Sequence, residues 1–98
     1  MKLIRQGDVL LKEVKEIKGQ KQKQKDVVLA EGEVTGHKHT LMGQVLVSEF
    51  EGNKYVELTE DSVLTHQEHD TLEIPKGKYQ IILQREVDLL GEIRQVMD

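Results

Sequence analysis

The chain predicts an all-β fold, a small single-domain β-barrel or β-sandwich of roughly eight strands over residues 1–98. Two observations carry that expectation. Apolar runs of strand length recur along the chain, separated by Gly, Asn, Asp and Pro in turn positions. The length of 98 residues suits one modest domain with a thin core, and neither an internal repeat nor a second domain is visible.

The elements follow in order. Lys2–Val14 carries Leu3, Ile4, Val9, Leu10, Leu11 and Val14, with Gly7 as a bulge or bend. Lys15–Lys25 (KEIKGQKQKQK) offers Ile17 as its only apolar residue, which predicts a mobile Lys/Gln-rich loop at about residues 15–25. Asp26–Glu33 holds the short run VVLA. Gly36–Leu41 and Gln44–Phe50 read as two strands joined by a turn at Gly43, and Phe50-Glu51-Gly52-Asn53-Lys54 predicts a hairpin turn, with Gly52 and Asn53 able to take positive φ, leading into the strand Lys54–Leu58. Ser62–His66 is a further strand. Pro75-Lys76-Gly77 marks a turn before the long strand Lys78–Val87, where Tyr79, Ile81, Leu83, Arg85 and Val87 share one face. A turn at Asp88–Gly91 and a last strand at Glu92–Met97 complete the reading.

Composition narrows function by exclusion. The chain has no Cys, which rules out disulfides, thiolate zinc sites and cysteine nucleophiles, and fits a reducing compartment. Aromatic residues make up 3% and the net charge is −4, so neither base-stacking platforms nor a basic footprint for double-stranded DNA is present. The charge is uneven, with a Lys-rich first half and an acidic second half. Arg5 and Asp8 interrupt the N-terminal run, so it does not read as a signal peptide, and no apolar stretch approaches the roughly 18 residues of a membrane-spanning helix. The expected location is the cytoplasm. A thin core and free strand edges predict a homo-oligomer.

What composition leaves open is the histidines. All four fall in two tight pairs, Gly36-His37-Lys38-His39 and Thr65-His66-Gln67-Glu68-His69-Asp70. Side chains alternate along a strand, so His37 and His39 share a face with Leu41, and two imidazoles at i and i+2 form a chelating pair suited to a divalent transition metal: Zn, Mn, Fe or Ni. His66 and His69 lie on opposite faces of a regular strand and converge only if the chain turns between them. His37, His39, His66 and His69 are therefore the candidate metal ligands. Glu68 and His69 are the acid–base candidates, because a carboxylate beside a metal-bound water can take its proton. Lys38 and Arg85 are candidate partners for a phosphate or another small anionic ligand, such as a nucleotide.

Three functions fit this constellation: a metal-dependent hydrolase acting on a phosphoester of a nucleotide or RNA, a binding module whose histidines hold a structural metal or small anion, and metal-free phosphodiester cleavage by a His pair. The segment Thr35–His39, with Ile74–Tyr79 downstream, resembles in part the cupins, β-barrels with an HxH metal pair and a Pro-x-Gly turn. That resemblance implies His37 and His39 as ligands with a third from the second pair. The wider pattern, Gly32–His39 with His66–His69, Ile74–Tyr79 and Gln84-Arg85-Glu86, resembles small uncharacterised proteins of bacteria and phages and implies no activity.

Overall fold

The computed structural model describes residues 2–31 and 36–84. Arg85 and the predicted final strand at Glu92–Met97 lie outside the described residues, as do Gly32–Thr35. Eight strands are present among the described residues: β1 (Leu3–Gln6), β2 (Val9–Glu13), β3 (Gln22–Glu31), β4 (Lys38–Phe50), β5 (Asn53–Leu58), β6 (Ser62–Thr65), β7 (Leu72–Ile74) and β8 (Gly77–Leu83). They form one antiparallel sheet of order β1-β2-β8-β5-β4-β6-β7, with β3 added on β4. The sheet curls into a nearly closed barrel, so the all-β prediction holds. No helix among the described residues is long and apolar enough to cross a membrane.

β4 organises the barrel. One edge pairs with β3 along most of its length. The other edge pairs first with β6, through Thr40↔Thr65 and Leu41↔Leu64, and then with β5, from Leu46↔Glu57 to Phe50↔Asn53. The two halves of this strand therefore belong to two walls, β6–β7 on one side and β5–β8–β2–β1 on the other. The transition falls at Gly43, which has a φ of +85° and whose N–H donates to Asp26 Oδ1 at 2.8 Å. Asp26 itself sits at a register shift of β3, so Gly43 marks a bulge within one 13-residue strand and not the predicted turn. The alternation survives the bulge. His39, Leu41, Val45 and Val47 all face inward, where they meet Val9, Leu11, Val56, Leu64, Ile74 and Tyr79 in the core.

Three other expectations need correction. The Lys/Gln segment is only partly a loop. Gln22–Lys25 belong to β3 and pair with Val47–Gln44, because a neighbouring strand satisfies their backbone while their side chains stay in water. The preceding connection is also held down. Ser48 Oγ donates to Lys18 O, and a Cβ at Gly19 would stand 2.7 Å from Ser48 Oγ. In the β4–β5 hairpin the residues with positive φ are Glu51 (+51°) and Gly52 (+79°), a type I′ arrangement between the paired Phe50 and Asn53. Leu83, expected to share the buried face of Ile81, is 42% exposed because it ends β8.

Tyr79 is the largest fully buried side chain. Its hydroxyl donates to Pro75 O at 2.7 Å, which ties β8 to the turn that launches it. Burial raises its pKa above 10, and the negative charges of Glu13 and Asp61 add to the shift.

Candidate functional site

The sheet path begins at β1 and ends at β7, and the barrel is stitched between those ends by a side chain. Gln6, the last residue of β1, sends both N–H groups of its amide across the gap, to Leu64 O at 3.0 Å and Asp70 O at 2.9 Å. The histidines gather at this seam. The Thr40↔Thr65 pairing places the next residues outward, His39 and His66, side by side, with ring centroids 4.3 Å apart. Beyond His66 the chain turns. His66 Nδ1 accepts hydrogen bonds from the backbone N–H groups of Glu68 (3.0 Å) and His69 (3.2 Å), which curls the segment and brings the His69 ring to 4.5 Å from that of His66. The Lys38 N–H donates to Gln67 Oε1 at 2.8 Å and pins the start of β4 to the same turn. His37 stands edge-on to His66 at 5.5 Å, and His39 is stacked 5.9 Å from His69. The two pairs, 27 or more residues apart in sequence, thus form one cluster.

Its floor is the β1–β2 turn, Gln6-Gly7-Asp8. His39 is fully buried, with Nδ1 2.8 Å from Gln6 Oε1 and Nε2 3.2 Å from Asp8 Oδ1. The proton positions follow from Gln6. Its amide nitrogen faces two carbonyls, which can only accept, so the other amide atom is the oxygen and His39 Nδ1 must donate to it. His39 Nε2 and Asp8 Oδ1 then face each other as a lone pair and a carboxylate, an arrangement that needs a positive charge between them: a second proton, giving an imidazolium–carboxylate pair, or a metal ion. Both Gln6 and Asp8 are buried, at 3% and 5% exposure, so water does little to relieve that requirement. Gly7, with a φ of +58°, lies under the rings; a Cβ there would come within 2.7 Å of His69 Nε2 and 3.1 Å of His39 Cε1.

His66 differs from His39. Its Nδ1 is an acceptor, so in the neutral ring Nε2 carries the proton and acts as a donor. Glu68 stands at the rim, 59% exposed, with Oε1 3.8 Å from His37 Nδ1. Lys38 points to the outer, exposed face and does not join the cluster, as strand alternation dictates. Arg85 falls outside the described residues; the residue before it, Gln84, donates its N–H to Asp8 O at 2.7 Å. Among the described residues no group of three or more carboxylates and imidazoles has its donor atoms already drawn together as in an assembled metal site.

Sequence reasoning passed over Gln6 and Asp8. Their signal was two polar side chains flanking a glycine inside an otherwise apolar hairpin. Locally it reads as a bend, because nothing in the nearby sequence says which distant segment the bend meets.

A family model described as a domain of unknown function, DUF8820, matches residues 5–84. The chain belongs to this family. The DUF8820 match spans Gln6, Gly7, Asp8 and all four histidines, so the whole cluster lies within the family's domain. No curated protein and no solved structure matches the chain, and the partial resemblance to cupins finds no support in these comparisons.

Proposed function

We propose that the four-histidine cluster of this DUF8820 domain binds a divalent transition metal (Zn, Mn, Fe or Ni) and that the centre hydrolyses a phosphoester. The observation that supports metal binding above all is the buried array Gln6–His39–Asp8. A glutamine oxygen fixes Nδ1–H, and Nε2 is left facing a carboxylate at 3.2 Å. Metal-bound histidines commonly have their second nitrogen oriented in this way. When bound, the ion would polarise a phosphoryl oxygen and lower the pKa of a water. The chain's own groups would do the rest. Glu68, exposed and 3.8 Å from His37, would take a proton from that water, and His66 Nε2–H would donate to an oxygen of the substrate.

A second reading, a binding module that breaks no bond, is favoured by the exposure of Glu68 and the deep burial of His39. It needs only the metal or a small anion held at the same cluster.

The test is metal uptake followed by turnover. After removal of metal with a chelator, the protein should take up one equivalent of Zn(II) or Mn(II) and gain about 2.7 kcal/mol of stability at a hundredfold excess over Kd. Absence of uptake and of any thermal shift across Zn, Mn, Fe and Ni would reject the metal centre. If metal binds, hydrolysis of a panel of nucleotides, RNAs and simple phosphoesters that is lost in Glu68→Gln supports the hydrolase. Uptake with no turnover on that panel leaves the binding module.

A further inference from the structure

The histidine cluster does not offer four equivalent ligands. Resting on the metal reading above, we infer that the coordinating set is His39 Nε2, Asp8 Oδ1 and His69 Nε2, and that His66 stays outside it as an N–H donor to whatever anion or water the ion carries.

Three observations separate these roles. The first is spacing. Adjacent donors around an ion with bonds of about 2.1 Å lie roughly 3.0–3.4 Å apart in octahedral or tetrahedral geometry. His39 Nε2 and Asp8 Oδ1, at 3.2 Å, already have that separation. The second is the protonation pattern. His39 donates through Nδ1 to Gln6, which leaves its Nε2 lone pair for the ion. His66 is reversed: Nδ1 accepts from the N–H groups of Glu68 and His69, so Nε2 holds the proton and has no lone pair to give. Making His66 a ligand through Nε2 would require stripping a second proton from the ring or breaking the turn that positions His69. The third is the space above Gly7. His69 Nε2 and His39 Cε1 lie 2.7 and 3.1 Å from the position that a Cβ of residue 7 would take, so both rings reach over the turn that carries Asp8. His69 is half-buried on a turn with its ring 5.9 Å from that of His39, so its side chain would have to rotate to complete the set, while His39 stays held by Gln6 and Asp8.

The resulting set has two imidazoles and one carboxylate, contributed by the β1–β2 turn, β4 and the turn after β6. Three protein ligands leave positions open on the ion, as catalytic centres do and fully closed structural ones do not. A mixed nitrogen–oxygen set also suits Zn(II), Fe(II) and Mn(II) better than the softer Cu(I).

Equilibrium dialysis of the metal-free protein against Zn(II), and titration with Co(II) followed by its visible spectrum, test this division. Asp8→Asn and His69→Gln should each weaken Zn(II) binding by a hundredfold or more and alter the Co(II) bands. His66→Asn, whose side-chain oxygen can take over the Nδ1 acceptor role in the turn while the Nε2 nitrogen is lost, should bind Zn(II) within about threefold of the parent and keep its Co(II) spectrum. Thermal melts in chelator identify any variant that fails to fold. His69, half-buried, provides the second test of the set if Asp8→Asn does not fold, and His66→Ser, whose hydroxyl can also accept from the turn, the second test of the donor. Undiminished binding in Asp8→Asn or His69→Gln, or a loss in a folded His66 variant equal to theirs, would overturn the assignment while leaving the metal centre standing. A parent protein that takes up neither Zn(II) nor Co(II) removes the metal reading itself and this inference with it.

Discussion

Gly7→Ala isolates the role of the β1–β2 turn. Two costs add. A φ of +58° is left-handed, and an L side chain there costs about 1–2 kcal/mol relative to Gly. The new methyl would also stand 2.7 Å from His69 Nε2 and 3.1 Å from His39 Cε1. His39 cannot retreat, being held by Gln6 and packed against Asp8, so His69 must move. The clashing atom is the tip of a half-buried side chain, so the shift costs about 1 kcal/mol, the low end for overpacking. Gly52→Ala supplies the control. Its φ is +79°, but no atom lies within 4 Å of the added methyl, so it carries the backbone cost alone. Gly7→Ala should therefore melt below Gly52→Ala by an amount set by the contact. At about 4–8 °C per kcal/mol for a domain of this size, the gap is roughly 4–8 °C. Thermal melts followed by circular dichroism in chelator measure it, and Zn(II) dialysis of the same samples reports whether displacing His69 also weakens metal binding. If the two variants melt together and bind Zn(II) alike, the packing of the rings on Gly7 is wrong, and the site built on it falls too.

The remaining predictions concern the barrel. Because burial raises the Tyr79 pKa above its unfolded value, the stability contributed by the neutral phenol is fully present below about pH 10 and is lost as pH rises through the folded value. Tyr79→Phe should cost about 1 kcal/mol at neutral pH through the lost bond to Pro75 O, and should reduce the alkaline decline, seen in denaturant titrations from pH 7 to 11 as a difference from the parent that shrinks above pH 10. Ile81→Ala, at a core position, should cost about 2–5 kcal/mol by chemical denaturation, whereas Leu83→Ala, at the exposed end of β8, should cost under about 1 kcal/mol; equal losses would contradict the burial pattern.

The fold class and most of the strands are legible in the sequence, because apolar runs, turn residues and two-residue alternation are local properties. The inward face of β4 could be read from His39 and Leu41 in the same way, and so could the need for a turn between His66 and His69. Local reading failed at Gly43, since a glycine with positive φ serves a turn or a bulge equally well and only the pairing with β3 distinguishes them. It failed at Gln22–Lys25 for a related reason: a polar segment becomes a strand once a partner strand satisfies its backbone. The tertiary structure alone decided how the two histidine pairs meet. The Thr40↔Thr65 register sets His39 beside His66, and closure of the barrel by Gln6 carries Asp8 and Gly7 beneath them. Those contacts join residues 25 to 64 positions apart, and hydrogen-bond direction around Gln6 and His66 assigns His39 and His66 their protons. The chemical difference between two identical side chains, His39 and His66, is written in their neighbours and not in their own sequence.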